Sequence, residues 1–309
     1  MTVRNSHTPT ADEHVFLIGR PPLGEYLGFL TVQAVDGQKA DLRALADEWR
    51  SANDHIRELE EQEAGWADRP VIGTLPPHLE DLRTRVLADP IFQRSFAIVP
   101  SDIGIVELDR LVVFQKHINL NYVRQLQTTL GSPTEDTVFR VCLPFDHPQP
   151  PVEHMRIAAN AYTFVSPSTD LRFLEPTLLG SDQVMGYVPQ GPIASVVGLV
   201  AGFGSNFLNV IHAENRLVLN NGSHRAFALR ELGITQAPCI IQHVSRREEL
   251  EVVGSHDLRE KPDLYLRAVR PPLLKDYFDP KLRKVVAVPR RLRQVKITFG
   301  VEQVDIPAT

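Results

Sequence analysis

Between Asn206 and Val244 the chain reads NFLNVIHAENRLVLNNGSHRAFALRELGITQAPCIIQHV, and no other stretch restricts the fold as strongly. Apolar runs alternate with breakers in the order strand, turn, strand, tight turn, helix, strand. Gly222 supplies the backbone freedom that a strand-to-helix joint needs. Ser223 can cap the helix, which is expected from about His224 to Leu232 with an apolar face of Phe227, Leu229 and Leu232. The free N–H groups and the positive end of the helix dipole then meet at Gly222, Ser223, His224 and Arg225, a ready anion site. His224 and Arg225 add donors suited to phosphate or carboxylate. A plain turn and a ligand site would use the same atoms here.

This order of elements around Asn-Gly-Ser-His-Arg resembles the ParB/sulfiredoxin-like superfamily, over roughly residues 206–244. The resemblance implies that Gly222, Ser223, His224 and Arg225 face nucleotide phosphates, as ATP or CTP with magnesium. Departures from the pattern count against retained chemistry. Ser223 stands where sulfiredoxins carry cysteine, and Asn221 where many members carry aspartate. No helix-turn-helix of the chromosome-partitioning kind is visible after Val244. A kinase would need a general base; Glu214 and Asp257 are the nearest carboxylates in sequence, and nothing in the sequence places them at the turn. A second similarity covers the whole chain: VFLIGRPPLGEYLGFL and VELDRLVVFQKHINLNYV look like accessory proteins of crocagin-type ribosomal-peptide pathways. That likeness implies a peptide-binding helper.

Elsewhere the patterning predicts an α/β or α+β chain, a mixed sheet with packed helices. An amphipathic helix is expected over residues 41–65, where Leu42, Leu45, Trp49, Ile56 and Leu59 recur at helical spacing and Gly65 stops the run. A second helix is expected over residues 78–87, and a third from Asn119, a possible cap, to Gly131. Residues 105–115, 136–146, 156–167 and 239–244 read as strands. Ile193–Ala201 reads as a short helix, with the Gly-x-Gly at Gly202 ending it. Alternation at Val295, Ile297, Phe299 and Val301 marks a half-buried final strand. The organisation that follows is a disordered lead-in over residues 1–14, an N-terminal region over 15–165, the ParB/sulfiredoxin-like module over 166–255 and an extension over 256–309.

A net charge of −5 argues against a nucleic-acid surface. No apolar run is long enough to cross a bilayer, and the first residues lack a signal-peptide core. Cys142 and Cys239 lie in apolar runs, which suits buried thiols in a cytoplasmic protein. His212-Ala-Glu214 has the His-x-carboxylate spacing of iron sites, with His224 or His243 as a third ligand. Glu214-Asn215 reads better as a hairpin turn, so no metal is expected there. From Lys281 to Lys296 seven basic residues stand without an acid. Arg290, Arg291 and Arg293 among them could steer an acidic peptide.

The reading is a non-catalytic peptide-binding accessory protein, of the kind found in ribosomal-peptide natural product biosynthesis, on a degenerate ParB/sulfiredoxin-like fold. It needs no cofactor and no catalytic residue. The alternative is an ATP- or CTP-dependent kinase or hydrolase working at Gly222–Arg225.

Overall fold

In the structure, a computed structural model, residues 11–188 and 190–307 are described. The lead-in expected over residues 1–14 lies mostly outside them; Ala11 already opens a strand. The strands in chain order are β1 (Ala11–Leu17), β2 (Ser101–Glu107), β3 (His117–Asn119) and β4 (Glu153–Ala158). Next come β5 (Ala161–Ser166), β6 (Arg172–Leu179), β7 (Val196–Gly202) and β8 (Asn209–Ala213). The last are β9 (Arg216–Asn221), β10 (Gln236–His243), β11 (Arg283–Pro289) and β12 (Arg293–Thr298). Helices fill much of the rest, so the class is α+β with mixed pairing, as the patterning predicts.

The chain divides into two compact units. The first takes in the chain to Asp146 together with Ser205–Arg290. It contains a three-stranded antiparallel sheet in the order β11-β1-β3 and a four-stranded sheet in the order β2-β10-β8-β9. In the latter, β8 and β10 run parallel and every other pairing is antiparallel. Here β9 leads through Gly222 into the helix Ser223–Glu231, and Gly233 turns the chain back into β10. Ala226, Phe227, Ala228 and Leu229 of that helix are buried against Leu208, Val210, Cys239 and Ile241 in one apolar core. Leu232, expected on the same face, is 40% exposed because it lies past the last helical residue. Both cysteines are free and buried.

The helix Leu42–Gln62 forms as expected, with the Asp41 carboxylate accepting from the amides of Arg43 and Ala44 and Gly65 at φ +73° behind it. It buries Leu45, Ala52 and Ile56 in a second core with Phe16, Tyr26 and Phe29. Asn119 caps the helix Leu120–Leu130 through its side chain.

The second unit takes in His147–Gly204 and the chain from Arg291 onward. A three-stranded sheet in the order β12-β5-β4 and the two-stranded ribbon β6-β7 make up its strands. Val295 and Ile297 alternate with exposed neighbours along β12, as the sequence pattern predicts, but the strand ends at Thr298, before Phe299, and Val301 is exposed.

Two elements differ in type from expectation. Residues 136–146, read as strand, begin with the helix Glu135–Cys142. A capping box between Thr134 and Thr137, two acids in the first turn, and buried Val138, Phe139 and Cys142 on one helical face decide for helix. Ile193–Ala201, read as helix, contains β7 instead, which pairs antiparallel with β6 along its length. Cross-strand pairing outweighs the weak helical preference of that Val- and Gly-rich run. The strand expected over residues 105–115 starts earlier and breaks at a 3-10 turn over Leu108–Arg110.

Candidate functional site

Gly222 holds φ +94° at the N-cap of the helix Ser223–Glu231. An added Cβ there would come within 2.5 Å of Leu208 Cδ1, so both the angle and the space call for glycine. Ser223 is the first helical residue rather than the cap, and no side chain caps this helix. The amide of Gly222 donates to the Asn221 side-chain carbonyl at 2.8 Å.

Arg225 is buried, with 6% exposure. Its Nη1 donates to the carbonyls of Val141 (3.3 Å), Cys142 (3.2 Å) and Asn206 (2.6 Å). The guanidinium thus ties the helix to the end of Glu135–Cys142 and to the approach to β8. These carbonyl contacts engage Nη1 with the protein's own backbone.

His224 is half-buried and accepts the backbone N–H of Asn119 on Nε2 at 3.0 Å. An acceptor nitrogen carries no proton, so the ring is neutral and offers Nδ1–H alone. Burial pushes its pKa down to about 4, and the nearby His117, His14 and Arg225 push the same way. The face of Tyr122 meets the ring edge-on at 5.4 Å. Across the β1-β3 pair, His14 and His117 bring their Nδ1 atoms to 3.1 Å, one donating to the other. Burial, then His14 and Lys116, lowers His117 to about 4, and burial also lowers His14 against the pull of Asp12. Burial thus holds the imidazoles of His14, His117 and His224 all below the usual range.

Asp12 organises the other side. It accepts from Asn119 Nδ2 at 3.1 Å and from Arg290 Nη2 at 2.7 Å. The Arg290 guanidinium, the largest influence, holds its carboxyl below the ordinary carboxylate range. The basic run is accordingly split. Arg290 closes the first unit and is paired with Asp12, while Arg291 and Arg293 open the second and are exposed, Arg293 donating to the Leu171 carbonyl at 3.4 Å.

The other carboxylates and histidines of the sequence argument are also placed. Glu214 and Asn215 take φ values of +46° and +65° in the β8-β9 hairpin turn. The Glu214 carboxylate is clamped by Arg247 Nε (2.5 Å) and Arg267 Nε (2.7 Å), Arg247 most strongly keeping its pKa low. Asp257 pairs with Lys116 at 3.3 Å. His212, whose spacing pointed to Glu214, instead meets His243 on the neighbouring strand. Sequence spacing could not reveal that contact, because β8 and β10 become neighbours only through the crossover helix.

One cleft of about 440 Å³ opens in the first unit beside the helix Leu42–Gln62, lined by His55, Glu63, Arg270, Lys275, Asp276 and Asp279. Most of its charges are paired with one another. Arg270, 1% exposed, grips Asp276 through two nitrogens and reaches Glu63 at 2.8 Å; Lys275 also holds Glu63, and His55 holds Asp279.

No protein-family model, curated protein or solved structure matches this chain. Among the described residues no group of three or more histidine, cysteine or acidic side chains is arranged to hold a metal ion. Nor is any of their helices long and apolar enough to cross a membrane.

Proposed function

We propose that the protein is a peptide-binding accessory protein whose Gly222–Arg225 turn serves structure rather than nucleotide chemistry. The observation that carries this reading is β4. It forms an edge of its sheet and all six of its residues are exposed, so its outward backbone groups stand beside side chains on both faces, although Arg156 Nε already donates to the Ala158 carbonyl at 3.1 Å. An extended peptide can add to such an edge as a further strand, with affinity from the main chain and selectivity from alternate side chains.

The flanking chemistry sets what such a peptide would carry. On one face β4 presents His154, stacked on Phe164, and Arg156, placed over the Tyr162 ring at 6.0 Å from its centroid. On the other it presents Met155 and Ile157, 58% and 46% exposed. A peptide alternating acidic or aromatic residues with apolar ones fits both rows. The internal use of Arg225 and the uncharged state of His224 support the same reading, since both groups would have to serve phosphate in a nucleotide enzyme. The role in ribosomal-peptide natural product biosynthesis rests on the whole-chain resemblance alone.

Amide hydrogen exchange on the full chain, with an array of such peptides, tests the proposal. Binding should slow exchange along Glu153–Ala158. ATP or CTP with magnesium should leave the melting temperature unchanged; a rise in melting temperature abolished by His224→Ala would favour the enzyme instead.

A further inference from the structure

We propose that His212 and His243 chelate a divalent transition-metal ion of the zinc class through their Nδ1 atoms, at the carboxyl ends of the parallel strands β8 and β10. The two residues are register partners on these strands, so their side chains leave the sheet on the same face. Their Nδ1 atoms stand 3.4 Å apart. That is long for a hydrogen bond to a ring nitrogen, which peaks near about 2.9–3.0 Å. It matches the spacing of two nitrogens each about 2.0–2.1 Å from a tetrahedral zinc ion, which is about 3.3–3.4 Å. The His14–His117 pair, at 3.1 Å, falls instead within ordinary hydrogen-bond reach.

A second feature points the same way. The far nitrogen of His243, Nε2, lies 3.2 Å from the Asp102 carboxylate at the start of β2. A carboxylate on the outer nitrogen of a ligating imidazole fixes the tautomer, aims Nδ1 and raises its basicity. Both rings are only half-buried, so the approach is open. The protein supplies two ligands, and water or a carboxylate, imidazole or thiolate from a bound partner completes the shell. Imidazole ligands suit zinc, copper, nickel and iron, and exclude magnesium and calcium as the preferred ions. The carboxyl ends of adjacent parallel strands are where open sheets place ligands. The site takes His243 in place of Glu214, whose carboxylate is spent on Arg247 and Arg267.

The test uses tag-free, chelator-stripped full-length protein titrated with zinc by calorimetry and with cobalt by visible absorption. One ion per chain is expected, with cobalt bands of a four- or five-coordinate ion. His212→Gln and His243→Gln should each weaken binding at least about tenfold, and the double variant should abolish it, while His14→Gln changes nothing. Asp102→Asn, at an exposed position, should weaken binding by about 10–100-fold. If a histidine variant fails to fold by its metal-free melt, the Asp102→Asn result decides alone. Binding that is absent, substoichiometric below millimolar zinc, or unchanged in Asp102→Asn or in the folded double variant overturns the proposal.

Discussion

The backbone N–H of Asn119 reaches Nε2 of His224 at 3.0 Å, across 105 residues of sequence. This one contact joins the cap of the helix Leu120–Leu130 to the first turn of Ser223–Glu231, and it fixes the protonation state of a residue that the motif offered as a phosphate donor.

Acid should therefore loosen the fold at this joint. Folded, His224 and His117 bind protons only near pH 4, whereas unfolded imidazoles do so near 6.5. Between these values the unfolded chain holds more protons, so stability is complete above about pH 6.5 and falls as the pH drops toward 4. A loss on the order of a few kcal/mol is expected across that window. Melting temperatures measured from pH 8 to pH 4 should show it, and His224→Gln should reduce the slope. A flat profile for the parent protein would mean that these rings are charged or solvated.

Arg225→Met should cost stability, about 1–3 kcal/mol, because the carbonyls of Val141, Cys142 and Asn206 lose their shared donor. Urea unfolding measures this directly. A variant of unchanged stability would place the guanidinium on something other than the backbone.

Arg270 and Asp276 form a buried pair, 1% and 3% exposed. Removing one partner strands the other, so Arg270→Met should destabilise by about 3–5 kcal/mol. The double change Arg270→Met with Asp276→Leu should recover much of that loss, less the bond that Asp276 accepts from the Leu273 amide. A double variant as unstable as the sum of its parts would show that the pair is not coupled.

The basic run bears on binding rate. Arg290 already neutralises Asp12, so steering of an acidic peptide should fall to Arg291 and Arg293. Replacing those two with glutamine should lower the association rate and flatten its salt dependence, since exposed charges are screened over about 8 Å at physiological ionic strength. Stopped-flow binding at low and high salt separates this from a change in dissociation.

Much of the first unit was legible because its signals are local. The helix over residues 41–65, the Asn119 cap and the Gly222 joint are read correctly from residues within a few positions of each other. The errors arise where local and distant forces compete. In Glu135–Cys142 the apolar residues look continuous until the Thr134 cap sets the period. Val196–Gly202 takes its form from β6, some twenty residues earlier, and not from its own preference. The candidate site was legible in its backbone but not in its side chains. Nothing near Arg225 in sequence announces the Val141 carbonyl, and nothing near His212 announces Asp102 behind His243.

The open edge of β4 also bears on how the protein avoids itself. Two copies could zip β4 to β4 antiparallel about a two-fold axis, and directly opposed residues would then share a face. The axis fixes which residues meet. Centred on Met155, the arrangement sets Arg156 against His154; centred on Arg156, it sets two Arg156 guanidinia face to face. In neither does Arg156 find an acid, and like charges directly opposed across a ladder are unfavourable. The strand that would accept a foreign acidic segment is thereby a poor template for its own kind, and a single charge reversal, Arg156→Glu, would turn the acidic segment away while setting a carboxylate against His154 in the Met155-centred pairing.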